Sequence, residues 1–142
     1  MVSKKKENTK WLQVAKPTGG TAGKTDSRSR IAWALTGSGH FLIESLEICS
    51  RLSDIDLFLS AAAEEVLPIY GFDILSLKKK FRTLRDKTAS SVPVGMLYDN
   101  VYHTVVISPA TSNTVAKCAL GISDTLPTNM FAQAGKLGIL SI

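Results

Sequence analysis

Four short runs of β-branched and aliphatic residues punctuate the chain: "IAWAL" (31–35), "IDLFLS" (55–60), "VYHTVVIS" (101–108) and the closing "KLGILSI" (136–142). Each has the length and composition of a buried strand. Between them the pattern changes period. In "FLIESLEICSRL", Leu42, Leu46, Cys49 and Leu52 recur at three- and four-residue spacing, the signature of an amphipathic helix. "AAAEEVLPIYGF" starts as a helix that Pro68 and Gly71 interrupt, "LSLKKKFRTLRDK" is basic and amphipathic, and "NTVAKCALGISD" predicts a helix ending near Gly121. Strands alternating with helices imply parallel βαβ units, hence an α/β fold with a sheet covered on both faces.

Composition narrows this picture. A chain of 142 residues, 44 % hydrophobic and 20 % charged, is the size of one domain with a packed core. The net charge of +5 suggests nucleic acid at first. Residues 1–30, however, carry eight basic against two acidic side chains, a balance of +6, which leaves the rest at −1. The basicity belongs to a Lys-, Thr-, Gly- and Ser-rich segment that reads as a flexible tail. The domain proper, 31–142, is near neutral, and no nucleic-acid partner is expected.

The tail also holds a decoy, "GGTAGKT". A phosphate-binding P-loop needs a glycine five residues before Gly23, and Thr18 stands there. Two distant cysteines without a secretory signal predict free thiols in a cytoplasmic protein, and no apolar run is long enough to span a membrane.

Candidate chemistry gathers at predicted strand ends, where open parallel sheets bind ligands. Thr36-Gly37-Ser38-Gly39 follows the first strand and opens a helix, an arrangement suited to a phosphate. Ser60 ends the second strand. Thr111, Ser112, Asn113 and Thr114 follow the third in unbroken succession, where Asn113 or Thr114 could instead cap the next helix. The dinucleotide fingerprint Gly-x-Gly-x-x-Gly fails at Leu42, so a mononucleotide is the better expectation.

These residues carry a resemblance. "ISPATSNTVAKCALGISDTL" resembles the Pro-Ala-Ser-Ala-Asn-Thr region of the homo-oligomeric flavin-containing cysteine decarboxylase superfamily, with its downstream Gly-Ile-x-Asp at Gly121 to Asp124. "LTGSGHFLIESLEI" is similar to the first phosphate loop and "LSAAAEEVLPIYGF" to the second strand end. "PATSNT", "SDTL" and "NMFAQAGK" together look most like the dihydromethanopterin reductase-like branch. The resemblance implies a Rossmann-like (flavodoxin-like) three-layer αβα fold with a mostly parallel sheet. It further implies bound FMN, a small-molecule redox substrate of pterin type, and trimers that assemble into dodecamers. By position, Thr36, Gly37, Ser38, Gly39 and Ser60 would hold the phosphate end, and Thr111, Ser112, Asn113 and Thr114 the flavin.

The chain departs from that pattern in two places. The decarboxylases carry a histidine where counting back from Pro109 reaches Gly95, and glycine offers no proton chemistry. That disfavours a phosphopantothenoylcysteine decarboxylase or flavin prenyltransferase reading. Their later Pro-x-Met-Asn segment has no counterpart, so the chain reads as a C-terminally shortened member, and a flavin-binding module without turnover is the alternative from another class.

His40 and His103 read first as structural or surface residues, although His40 could reach a phosphate or flavin edge. Cys118 reads as a small buried hydrophobe, and Asp99 and Asp124 are acidic candidates near the site, Asp124 reading first as a helix-end or interface residue. The histidine and cysteine spacings match no metal motif.

Overall fold

The computed structural model describes residues 30–86 and 91–142. The predicted tail and its decoy loop lie outside the described residues, apart from Arg30. The elements in order are β1 (Arg30–Leu35), α1 (Leu42–Arg51), β2 (Ile55–Leu59), α2 (Ala61–Ile69), α3 (Ile74–Lys80), β3 (Arg82–Arg85) and α4 (Ser91–Gly95). A single 3-10 turn, Met96–Asp99, follows. Then come β4 (Tyr102–Ile107), α5 (Ser112–Leu120), α6 (Leu126–Leu137) and β5 (Leu140–Ser141).

All five strands are parallel, in the order β3-β2-β1-β4-β5. The order reverses at β1, which pairs with β2 on one side and β4 on the other. A crevice therefore opens at the carboxyl ends of β1 and β4, the place where such sheets receive ligands.

Two cores fill the faces. Trp33, Leu35, Leu57, Leu59 and Val106 pack with Leu42, Leu46 and Cys49 of α1, Ala63 and Leu67 of α2 and Leu77 of α3. On the other face Ala32, Ala34, Phe58 and Val105 pack with Val94, Leu97 and, from α6, Leu126, Met130 and Ala134. The two-residue alternation of each strand thus feeds both layers, which is why the runs read as continuously apolar. The helical spacing predicted for 42–52 is the buried stripe of α1.

Two stretches resolve more finely than their pattern. The basic, amphipathic stretch from Leu75 is helical only as far as Lys80. Phe81 turns extended and buries its ring, and Arg82–Arg85 joins the sheet as the edge strand beside β2. Sheet pairing and the burial of Phe81 override the helical charge pattern there. The closing run forms a strand only at Leu140–Ser141, because α6 continues through Leu137 and ends at Gly138 in the left-handed region.

One polar cluster lies at the amino ends of the strands. Asp56, wholly buried on β2, accepts from both arms of the Arg30 guanidinium and from the Tyr102 hydroxyl at 2.6 Å. Arg82 stands 3.9 Å away, and Asp54 faces Arg30 at 3.5 Å. The hydrogen bond to Asp56 raises the Arg30 pKa. Burial, then the bond to Asp56, pushes the Tyr102 phenol well above its ordinary range.

Candidate functional site

The loop from Thr36 to Phe41 joins β1 to α1. Among the described residues, no protein acceptor takes the backbone N–H of Gly37, Ser38, Gly39, His40 or Phe41. Five consecutive donors thus gather at the start of a ten-residue helix, whose dipole adds positive potential. Phe41, the N-cap, has φ 60 and offers no side-chain cap. This donor set fits an anion such as a phosphate monoester.

Thr36 plays a different part. Only 2 % exposed, it donates its hydroxyl to the Pro109 carbonyl at 2.7 Å and accepts from the Thr111 N–H at 3.0 Å. Its own N–H also points to Pro109 O, at 3.3 Å. One side chain therefore ties the glycine loop to the polar turn after β4. Ser45 of α1 adds a hydroxyl contact to Ser108 at 3.1 Å, and the Trp33 indole N–H donates to Ser108 O at 2.6 Å.

Ser60 is buried and caps α2, accepting from the Ala63 N–H at 3.0 Å, while its own N–H bonds Leu35 O. The second strand end is thereby fastened to the first. The glycines are explained by this neighbour. A Cβ on Gly37 would come within 2.7 Å of the Ala62 Cβ, and a Cβ on Gly39 would fall inside the Tyr70 ring. Both glycines allow close approach of α2 to the loop, a packing reason that the sequence alone did not reveal.

In the polar turn, Thr111 is the N-cap of α5, accepting from the Thr114 N–H at 3.1 Å and sharing a 2.9 Å hydroxyl contact with Thr114. The cap is therefore Thr111, neither Asn113 nor Thr114. Ser112 and Asn113 stand exposed on the first turn of α5. The structure thus brings all three predicted strand ends to one edge and divides their residues into fasteners (Thr36, Ser60, Thr111, Thr114) and open groups (the loop amides, Ser112, Asn113).

The remaining candidates fall away from this edge or are otherwise engaged. Asp124 pairs with Lys117 at 2.7 Å, in keeping with a role beside the end of α5. His103 contacts the Thr104 hydroxyl at 2.7 Å, and His40 lies edge-on to the Phe41 ring at a centroid distance of 4.0 Å. Cys49 is buried and its thiol pKa is pushed up by burial; Cys118 is half-buried, and both thiols are free. Sequence reasoning overlooked Asp86 at the end of β3, which accepts from the Leu126 N–H at 2.9 Å and so anchors α6. Its signal is hidden because the basic stretch that contains β3 does not read as a strand. Among the described residues no His, Cys, Asp and Glu cluster could hold a metal, and no helix is long and apolar enough to cross a membrane.

Comparison with known proteins bears directly on this edge. The family model described as "Flavoprotein" matches residues 20–139. The chain belongs to the flavoprotein family. Its similarity extends to a dihydromethanopterin reductase (acceptor) of Methanosarcina mazei, 39 % identical over 124 residues, covering 78 % of this chain and 52 % of that protein. A second, from Methanocaldococcus jannaschii, is 37 % identical over 120 residues and covers 75 % of this chain and 49 % of its own length. This flavoprotein-family chain thus spans about half the length of the curated relatives it matches.

Among solved structures it is similar to Burkholderia xenovorans DmrB in complex with FMN, described as a cubic protein cage for redox transfer. The two are 67 % identical with a TM-score of 0.77, over 79 % of this chain and 62 % of that one. The expected Rossmann-like arrangement is what the sheet shows, and every strand in it is parallel.

Proposed function

We propose that this flavoprotein-family chain binds FMN at the carboxyl edge of its sheet and serves as a redox protein that passes electrons to a small pterin-like acceptor. The observation that carries the reading is the set of five backbone N–H groups from Gly37 to Phe41 that meet no acceptor among the described residues, on a loop at the same sheet edge as Ser112 and Asn113. The N–H groups of Gly37, Ser38 and Gly39 would hold the phosphate, with Ser60 beside them. Ser112 and Asn113 would address the polar rim of the ring, and Thr36, Thr111 and Thr114 would keep the two loops at a fixed distance. Bound FMN supplies hydride and electron transfer, which explains a site rich in donors and poor in acid–base side chains. The relatives named for dihydromethanopterin reduction and the FMN complex of DmrB support the same reading.

Gly95 stands exposed with no atom within 4 Å of the position its Cβ would take, so this chain supplies no side chain there for a decarboxylase-type proton transfer. Association into a homo-oligomer, of trimers in the first instance, belongs to the proposal as well. α5 buries none of its residues and exposes Val115 and Leu120, and an apolar hollow of about 280 Å³ between Ile107, Val115, Cys118 and Phe131 runs beside it. A cytoplasmic setting suits two free thiols.

The test is to purify the protein, record its visible spectrum, and weigh any released chromophore. Oxidised-flavin bands with the mass of FMN are expected. A colourless protein that takes up no added FMN would sink the reading.

A further inference from the structure

The segment "LPIYGF" was singled out as a helix interruption, and the fold uses it to place one ring. Pro68 sits in the last turn of α2, Tyr70 is its C-cap, and Gly71 reverses the chain at φ +85 so that the Phe72 N–H returns to Leu67 O at 3.0 Å. Phe72 is then buried, and Tyr70 packs on the same core with part of its ring. The rest of the ring lies against Gly39, occupying the space any side chain there would need, with its Oη, Cε2 and Cζ atoms closest. Gly39 in turn accepts from the Leu42 N–H at 3.3 Å, the first bond that sets α1 in line. Three of the five open donors, those of Gly39, His40 and Phe41, hang on the backbone that this contact fixes.

We infer that Tyr70 is a positioning residue for the anionic end of the ligand: its ring braces Gly39 so that the loop amides converge on a phosphate monoester. The inference rests on the FMN reading above and adds the residue that gives the site its preference for a phosphorylated flavin over the unphosphorylated one. The brace acts through the hydroxyl end of the ring, of which phenylalanine keeps Cε2 and Cζ and so most of the contact, and removal of the ring loosens the phosphate end while leaving the turn at Ser112 and Asn113 intact. Ala62 against Gly37 is the matching contact at the other end of the loop.

The experiment is a fluorescence titration of the flavin-stripped full chain with FMN and with riboflavin, for wild type, Tyr70→Phe and Tyr70→Ala. Wild type should favour FMN over riboflavin, and Tyr70→Phe should keep most of that preference. Tyr70→Ala should lose FMN affinity about tenfold or more and riboflavin affinity less than about twofold, because only the phosphate contacts are disturbed. Should Tyr70→Ala lose its cooperative melt, Tyr70→Leu, which keeps the core packing and lacks the atoms that reach Gly39, carries the same comparison. Equal losses for the two flavins, or no loss for either, in a folded variant would overturn the role of Tyr70 and leave FMN binding standing. A wild type that binds neither flavin would sink both proposals at once, and the wild-type trace alone tells that case apart.

Discussion

The two ends of the sheet both gather polar groups and do opposite things with them. At the amino ends, Asp56 is wholly buried, and Arg30, Tyr102 and Arg82 converge on it. Every group there answers another within the chain. At the carboxyl ends the polar groups are uncharged hydroxyls and amides, and five loop N–H groups, Ser112 and Asn113 meet no partner among the described residues. Because polar groups in folded proteins are normally satisfied internally or by water, a concentration of open donors at a crevice is what supports placing the proposed ligand at this end. Polarity alone does not distinguish the two ends; closure of the network does.

The sharpest way to break the comparison is to open the closed end. Asp56→Ala should destabilise the protein by about 3–5 kcal/mol, since it strands a buried guanidinium edge and a phenol. Urea unfolding would measure it, and Asp56→Asn should cost less.

Next comes Thr36, the fastener on the open side. Thr36→Val keeps the shape, leaves the Thr111 N–H without its acceptor and the Pro109 carbonyl with the Thr36 N–H alone, and should cost about 2 kcal/mol, with Thr36→Ser restoring most of it. A Thr36→Val protein as stable as wild type would show that the two loops are held by something else.

Alkaline titration separates the ends by another route. Burial holds the Cys49 proton above its ordinary 9.0, and burial with the Asp56 bond holds that of Tyr102 above 10.0. The folded state therefore keeps protons that the unfolded chain releases. Stability is fully present below pH 9.0 and declines as pH climbs through and beyond 10.0. Tyr102→Phe should be less stable at neutral pH and lose the part of the decline that begins at 10.0, as melting temperatures between pH 7 and 11 would show.

The smallest effect on stability is the most telling for function. Ser112→Ala with Asn113→Ala should stay within about 0.5 kcal/mol of wild type, because both side chains are exposed and unbonded. The same pair should weaken FMN binding by about tenfold or more in a fluorescence titration. An unchanged affinity would remove these two residues from the site.

Much of this was legible in the sequence, and the reasons are specific. The α/β architecture followed from runs such as Ile55–Leu59, whose five residues are all buried, and from the clean stripe of α1. The site's edge was legible because three polar or glycine-containing segments each followed a strand. Within the site, the division of labour was hidden. Thr36 and Thr111 look like ligand-binding hydroxyls in one dimension and turn out to bond each other's loops across 75 positions. Gly39 reads as a phosphate-loop glycine, and its missing side chain also makes room for Tyr70, 31 positions away, which no local pattern reveals. β3 does not stand out because Lys78 to Arg85 is charged and lacks an apolar run, while its state depends on the neighbouring strand. Long-range pairing leaves no local trace.

Thr36 carries one more consequence. With a single hydroxyl pinned to the turn before α5, the span between the glycine loop and the Ser112–Asn113 rim is held at one length. In the proposed site the crevice would act as a ruler. A molecule would be accepted according to the distance between its charged tail and its hydrogen-bonding head, and one whose linker is a few bonds too short or too long would satisfy one end at the expense of the other.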